Sequence, residues 1–168
     1  MREVVGREAC AGKPGADECC CFADMGKAVR NACEVESLCE TVLADCADVD
    51  GDCSAIANPN ALACTFAALA GSKKGRVSWS FNSADNPGYW RHDVDVYLMG
   101  DGTAFVFEDS YLDLSGSTMG TGRYMLNIPQ HWSGCAAETD AQAQAQCLRD
   151  ALTGETVHCG DGFEYTVD

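Results

Sequence analysis

No Cys-x-x-Cys pair occurs in this chain, although it carries twelve cysteines. Zinc ribbons, zinc fingers and most iron–sulfur sites repeat that spacing so that two thiolates reach one ion. Its absence argues against a metal-organised fold. The spacings present are Cys33-x5-Cys39-x6-Cys46-x6-Cys53 and Cys135-x11-Cys147-x11-Cys159, with three histidines (His92, His131, His158) to help as ligands. A helical thiolate store for a soft metal such as Cu(I) is the alternative this leaves.

Basic residues are scarce. Eleven Lys and Arg stand against 26 Asp and Glu, for a net charge of −15, which repels phosphate backbones and anionic membranes and excludes nucleic acid as a partner. Solubility is the simplest account of the acidity. Long apolar runs are missing too: the longest, Ala61 to Ala70, is too short to span a bilayer, so a soluble chain is expected. The opening Met1-Arg2-Glu3-Val4-Val5-Gly6-Arg7-Glu8 holds no leader-like apolar segment, so the chain reads as a mature form whose leader peptide has been removed. Arg7-Glu8-Ala9 before Cys10 does not make a lipoprotein cleavage box. Gly-x-Ser-x-Gly, His-Glu-x-x-His, phosphate-loop and dinucleotide motifs are all absent.

What the chain does have is cysteine: Cys10, Cys19, Cys20, Cys21, Cys33, Cys39, Cys46, Cys53, Cys64, Cys135, Cys147 and Cys159. Disulfides persist where glutathione and thioredoxin do not reduce them, which points to an extracytoplasmic location, secreted or periplasmic. With 168 residues, 46% of them hydrophobic, the chain can also build an ordinary core, so its bridges reinforce a fold that does not depend on them alone.

Residues 1–18 are polar and read as a flexible tail, and 19–168 as one disulfide-linked domain, with a Cys-rich helical part over 19–72 and a β-meander with one inserted helix over 76–168. From Phe22 through Met25, Val29, Ala32, Val35, Leu38, Cys39, Val42, Leu43 and Cys46 the apolar spacing predicts one or two amphipathic helices. Asn58-Pro59-Asn60 opens another helix, with Asn58 as the cap and Pro59 in the first turn; Leu62, Phe66 and Leu69 are its buried stripe and Gly71 its end. Ser72-Lys73-Lys74-Gly75 is the joint.

After the joint the period changes to two. Val77, Trp79 and Phe81, then Trp90, His92, Val94, Val96 and Leu98, alternate with polar residues as strands with one wet face do. Asp85-Asn86-Pro87-Gly88 and Gly100-Asp101-Gly102 are turns, the latter leading into a strand from Thr103 to Leu114. A loop over Ser115 to Gly122, a strand with Tyr124, Leu126 and Ile128, a helix from Ala137 to Leu152, and a closing hairpin or strand over Val157 to Val167 complete the chain. The fold class expected is α+β, with disulfide-bonded helices packed on one face of an antiparallel sheet of four to six strands.

Nine cysteines precede the joint and three follow it, so complete pairing within the chain requires at least one bridge between the halves. Cys39 and Cys46, seven apart on a helix, would lie about 10.5 Å apart and could not bond each other. On an unbroken helix the same reasoning separates Cys135 from Cys147, leaving Cys147–Cys159 as the local pair and Cys135 as the crossing cysteine. Adjacent Cys19, Cys20 and Cys21 should send bridges to three separate partners.

Asp45, Asp48, Asp50 and Asp52, in Asp-Cys-Ala-Asp-Val-Asp-Gly-Asp-Cys, resemble the start of a calcium loop, since oxygens at i, i+2 and i+4 can face one ion. Taking Asp48 as first ligand, however, puts Cys53 where the glycine belongs and Pro59 where the bidentate Glu belongs. Trp90-Arg91-His92-Asp93 offers an acid–base pair, yet neighbours on a strand point to opposite faces, so His92 could act only with a carboxylate or hydroxyl other than Asp93. The wet face would present Ser78, Ser80, Asn82, Arg91, Asp93, Asp95, Tyr97 and Arg123, with Tyr89, Trp90 and Trp132 as aromatic anchors for a protein or glycan partner.

The reading is a secreted or periplasmic, non-enzymatic binding or structural-interaction protein braced by about six disulfides, without a cofactor, as a subunit of an extracellular assembly or alone. Its alternatives are a calcium-dependent module using Asp48, Asp50 and Asp52 and a hydrolase with His92 as acid and base.

Overall fold

The computed structural model describes residues 36–48, 51–83, 89–119, 121–160 and 164–166. The expectations for the tail, Cys10, the Cys19–Cys21 run, Cys33, the helix begun at Phe22, Asp50 and the turn at 85–88 lie outside these residues. Among them are nine strands in one sheet and three helices, an α+β arrangement.

Val42–Cys46 is strand β1, where a helix was expected. Val42, Ala44 and Cys46 are buried while Leu43 and Asp45 are not. A short apolar run satisfies both periods, and pairing decides between them. Cys53–Ile56 forms β2, antiparallel to β1, with a Cys46–Cys53 bridge at the neck of the hairpin. Helix α1, Pro59–Ala70, starts at Asn58 with Pro59 in its first turn and buries Leu62, Phe66 and Leu69. The Asn58 side chain does not cap it. Instead Oδ1 accepts from the Leu43 N–H at 2.8 Å and Nδ2 donates to the Thr41 carbonyl at 2.7 Å, fixing the helix to the segment that enters and forms β1.

Strand β3, Gly75–Asn82, lies parallel to β1, so β1, α1 and β3 make a crossover unit of the kind parallel neighbours require. The joint at 72–75 thus separates elements of one sheet. Cys39–Cys64 ties the chain before β1 to α1.

Strands β4 (Trp90–Leu98) and β5 (Thr103–Leu112) continue the sheet antiparallel. Their hairpin turns at Gly100 and Gly102, with φ of +82° and +84°, a region that glycine enters without steric cost. The expected loop at 115–122 contains strand β6, Ser115–Thr118, and the start of β7, Thr121–Leu126. β5 pairs with β6 along its later half and β7 along its earlier half; β8 (Leu152–Gly160) then pairs β7, and β9 (Glu164–Thr166) pairs β6. The sheet exceeds four to six strands because β1, β2 and β6 were read as helix or loop.

The inserted helix is a pair: α2, Pro129–Ala137, and α3, Ala141–Arg149. Asp140 separates them and caps α3, its carboxylate accepting from the Ala143 N–H at 2.9 Å. The break lets the two helices fold back together, and Cys135 bonds Cys147, with their Cα atoms 5.9 Å apart. This corrects the expected Cys147–Cys159 pair and the role of Cys135 as the crossing cysteine, both of which assumed an unbroken helix. Each of the three described bridges stays within its own half of the chain.

One core forms between the helices and one sheet face. Phe66, Leu69, Trp132, Ala145 and Leu148 pack with Val77, Trp79, Phe81, Val94, Val96 and Val106. Trp132 is core, not a surface anchor: it is 1% exposed and its indole N–H donates to the Asn127 carbonyl at 3.0 Å. The other face is not the wet face expected. Ser78, Ser80, Tyr97, Phe105 and Phe107 on it are all buried. The unbroken apolar run Ala104-Phe105-Val106-Phe107 is the sequence mark of a strand covered on both sides.

Candidate functional site

Along β4 the core-facing positions run Leu98, Val96, Val94, His92 and Trp90, and along β5 their partners run Ala104, Val106, Glu108, Ser110 and Leu112. Three polar residues interrupt this apolar series. His92 and Ser110 face each other directly across the ladder, and Glu108 is one step along the same face, within reach of a long side chain.

The three are hydrogen-bonded in a row. His92 Nδ1 lies 2.5 Å from Ser110 Oγ, and Nε2 lies 3.2 Å from Glu108 Oε2. In the tautomer with its proton on Nε2, the ring donates to the Glu108 carboxylate. Nδ1 then presents its lone pair to the Ser110 hydroxyl, which donates. A base that is to take a proton from serine needs this tautomer. The imidazole stacks on Phe81, with ring centroids 6.2 Å apart and planes at 15°. The side chains of His92 and Glu108 keep 15% and 29% of their exposure.

Two hollows meet at this row. One, about 340 Å³, is walled by Trp79, Phe81, Val94, Leu148 and Leu152, with His92, Glu108, Ser110 and Arg149 as its polar members. The other is a groove of about 1050 Å³ bordered by Asp48, Tyr89, Trp90, Tyr111, Leu112, Ser115, Ser117, Glu164 and Thr166, with Ser110 again in its wall. Among the described lining residues Ser110 alone belongs to both.

The helices place the cation. Arg149, in the last turn of α3, holds its guanidinium 5.0 Å over the Phe81 ring. One guanidinium nitrogen donates to the Gly51 carbonyl at 2.9 Å, which ties the β1–β2 turn to the edge of the smaller hollow. A cation in the last helical turn is also favoured by the helix dipole.

Asp93 points away from His92, as strand geometry requires, and accepts from Arg91 Nε at 2.8 Å. Of the four candidate calcium ligands, Asp45 accepts from the Ser54 hydroxyl at 3.3 Å. Asp48 and Asp52 flank the β1–β2 turn, where the Gly51 and Ala47 N–H groups donate to their backbone carbonyls. The described acidic residues of this set do not gather as a group of three; His131, Cys135 and Cys147 do. Those two sulfurs are bonded to each other, so neither is a thiolate that could ligate. His158 pairs with Glu155 at 3.0 Å.

Two groups near the sheet are shifted from their ordinary protonation range. Burial, followed by the Glu155 and Glu108 carboxylates, pushes the Tyr124 phenol up. The Thr103 hydroxyl holds the Asp101 carboxyl down, helped by the Thr103 N–H and by Arg123.

Sequence reasoning named His92 and missed Ser110 and Glu108. The signal was present: counting outward from Asp101 at the hairpin tip, His92 and Ser110 are each nine residues away, which a tight turn makes direct partners. No family model matches the chain, and no curated protein or solved structure matches it either.

Proposed function

We propose that this is an extracytoplasmic, disulfide-braced binding protein whose groove takes a neutral glycan. The groove beside Tyr89 and Tyr111 carries this reading; Trp90, expected as a surface anchor, is 7% exposed and belongs to the core at the groove's floor. Aromatic rings offer apolar faces to the C–H faces of sugar rings, and the hydroxyls of Ser110, Ser115, Ser117 and Thr166, with the carboxylates of Asp48 and Glu164, can exchange hydrogen bonds with sugar hydroxyls. A net charge of −15 disfavours anionic polysaccharides. The location rests on the bridges Cys39–Cys64, Cys46–Cys53 and Cys135–Cys147, which fit an oxidising compartment. No described helix is long and apolar enough to cross a membrane.

Calorimetric titration with neutral oligosaccharides tests the reading. Tyr89, 49% exposed at the groove edge, is the residue to remove. Tyr89→Ala is expected to weaken binding about two- to tenfold, the worth of one aromatic contact, without lowering the melting temperature. Binding that Tyr89→Ala leaves unchanged would place the ligand elsewhere, and no binding to any neutral oligosaccharide would end the proposal.

A further inference from the structure

We infer that Ser110 is the nucleophile of an esterase site that removes short acyl groups from the glycan held in the groove, with His92 as the base and Glu108 as the positioning residue. The substrate class rests on the groove reading; the chemistry rests on separate observations.

The first observation is the hydrogen-bonded order hydroxyl, imidazole, carboxylate, with His92 Nδ1 toward Ser110 Oγ and Nε2 toward Glu108. This is the order of a serine nucleophile, its base and the group that orients the base. The second is the position of Ser110 in the wall of both hollows, which differ in size and in the side chains they present. The larger groove presents the hydroxyls of Ser115, Ser117 and Thr166 beside Tyr89 and Tyr111, and the smaller hollow is walled by Trp79, Phe81, Val94, Leu148 and Leu152. An ester has the same two ends. An alcohol rich in hydroxyls suits the groove, and a short apolar acyl chain suits a hollow of about 340 Å³. The reacting carbonyl of such an ester would lie where the two meet, at Ser110.

The steps balance without an added oxidant or metal. Ser110 Oγ bonds to the acyl carbon while its proton passes to His92 Nδ1, and the carbonyl electrons move onto oxygen. Arg149, the cation in the wall of the smaller hollow, supplies positive potential for that oxyanion. The intermediate then collapses, the bond from the acyl carbon to the sugar oxygen breaks, and the sugar oxygen takes the proton from Nδ1. Water attacks acyl-Ser110 by the same route, giving its proton to Nδ1, and Oγ recovers a proton as the acid leaves. One ester and one water become one carboxylic acid and one alcohol. Throughout, Glu108 holds the imidazole in the tautomer that leaves Nδ1 free to accept.

The test uses the oxidised full chain and three probes: p-nitrophenyl acetate, an O-acetylated neutral xylo-oligosaccharide, and a fluorophosphonate that labels activated serines. The expected result is release of p-nitrophenolate and acetate above the buffer rate, with the probe mass on the peptide containing Ser110. Ser110→Ala should abolish labelling and lower kcat/KM by about 10³-fold or more, and His92→Gln should lower it by about 10²- to 10⁴-fold. Glu108→Gln should lower kcat while leaving KM unchanged, a split that general loss of structure would not produce. Absence of the probe mass from Ser110 in the unaltered chain overturns the site with no variant needed, as does a Ser110→Ala protein that turns over at the original rate. Release of p-nitrophenolate without acetate from the oligosaccharide overturns the substrate class. Titrating Ser110→Ala with the deacetylated oligosaccharide separates the two proposals: binding without labelling in the parent sinks only the chemistry, and labelling without binding sinks only the glycan groove.

Discussion

The two ends of β4 and β5 share a face of one sheet and differ in what they do with it. Toward the hairpin, Val96 opposes Val106 and Leu98 opposes Ala104, and all four are buried beneath the helices. Toward the far end, His92 opposes Ser110 with Glu108 beside them, and side-chain hydrogen bonds replace apolar packing. Filling that end with aliphatic residues would have extended the core at a gain of about 1.5–3 kcal/mol for each side chain buried. Polar residues on the core-facing phase forgo that gain, so the near end serves stability and the far end is where the proposed chemistry is placed.

The largest expected effect is at the near end. Trp132, wholly buried against Phe66 with ring centroids 6.1 Å apart, should cost about 3–5 kcal/mol when truncated to alanine. Thermal melts would read this as a fall of roughly 2–4 °C for each kcal/mol in a chain of this size. Ser110→Ala should cost no more than about 1 kcal/mol, the value of one hydrogen bond. Equal losses from the two variants would break the comparison.

Next is the bridge that pins the two helices. Cys135 and Cys147 are twelve residues apart, and loop closure in the unfolded chain then gives the bridge about 3 kcal/mol, against about 2.4 kcal/mol for the shorter Cys46–Cys53 loop. Replacing both members of each pair by alanine and comparing urea midpoints checks the ranking. The reverse order would mean that native-state packing, not chain entropy, sets their worth.

How much of this was legible in the sequence varied with the physics involved. The α+β class, the stripe of α1 and the strands β3 and β4 could be read because their periods are long and unbroken, and β5 because the Gly100-Asp101-Gly102 turn precedes it. β1 could not, since Val42, Leu43 and Cys46 fit a helix as well as a strand and only pairing with β3 decides. The Cys135–Cys147 bond was hidden by the Ala- and Gln-rich run that follows Glu138-Thr139-Asp140, which reads as helix throughout unless Asp140 is taken as a cap. With that pair assigned, parity moves the crossing bridge. Cys159 is the one cysteine after the joint outside the described bridges, so complete pairing within the chain would join it to Cys10, Cys19, Cys20, Cys21 or Cys33. Peptide mapping without reduction should find that link, and a free thiol at Cys159 would refute it. Of the site, His92 was legible from its residue type; Ser110 and Glu108 required the register.

The smallest effect lies at the hairpin tip and acts through pH. Asp101 Oδ1 accepts from the Thr103 hydroxyl at 2.6 Å and Oδ2 from Arg123 at 2.6 Å, so its folded carboxyl titrates below the ordinary value of 3.8. A depressed folded pKa means that the unfolded chain binds the proton first. The contribution is therefore complete above that ordinary value and is lost as pH falls through the folded value. Because the Asp101 side chain is 53% exposed, solvent screening limits the contribution to about 0.3 kcal/mol. Asp101→Asn should flatten the decline of the urea midpoint below about pH 4 and leave ligand binding at the far end of the strands unchanged. A change in binding would show that the two ends are coupled through β4 and β5, and would turn the division between them into a gradient.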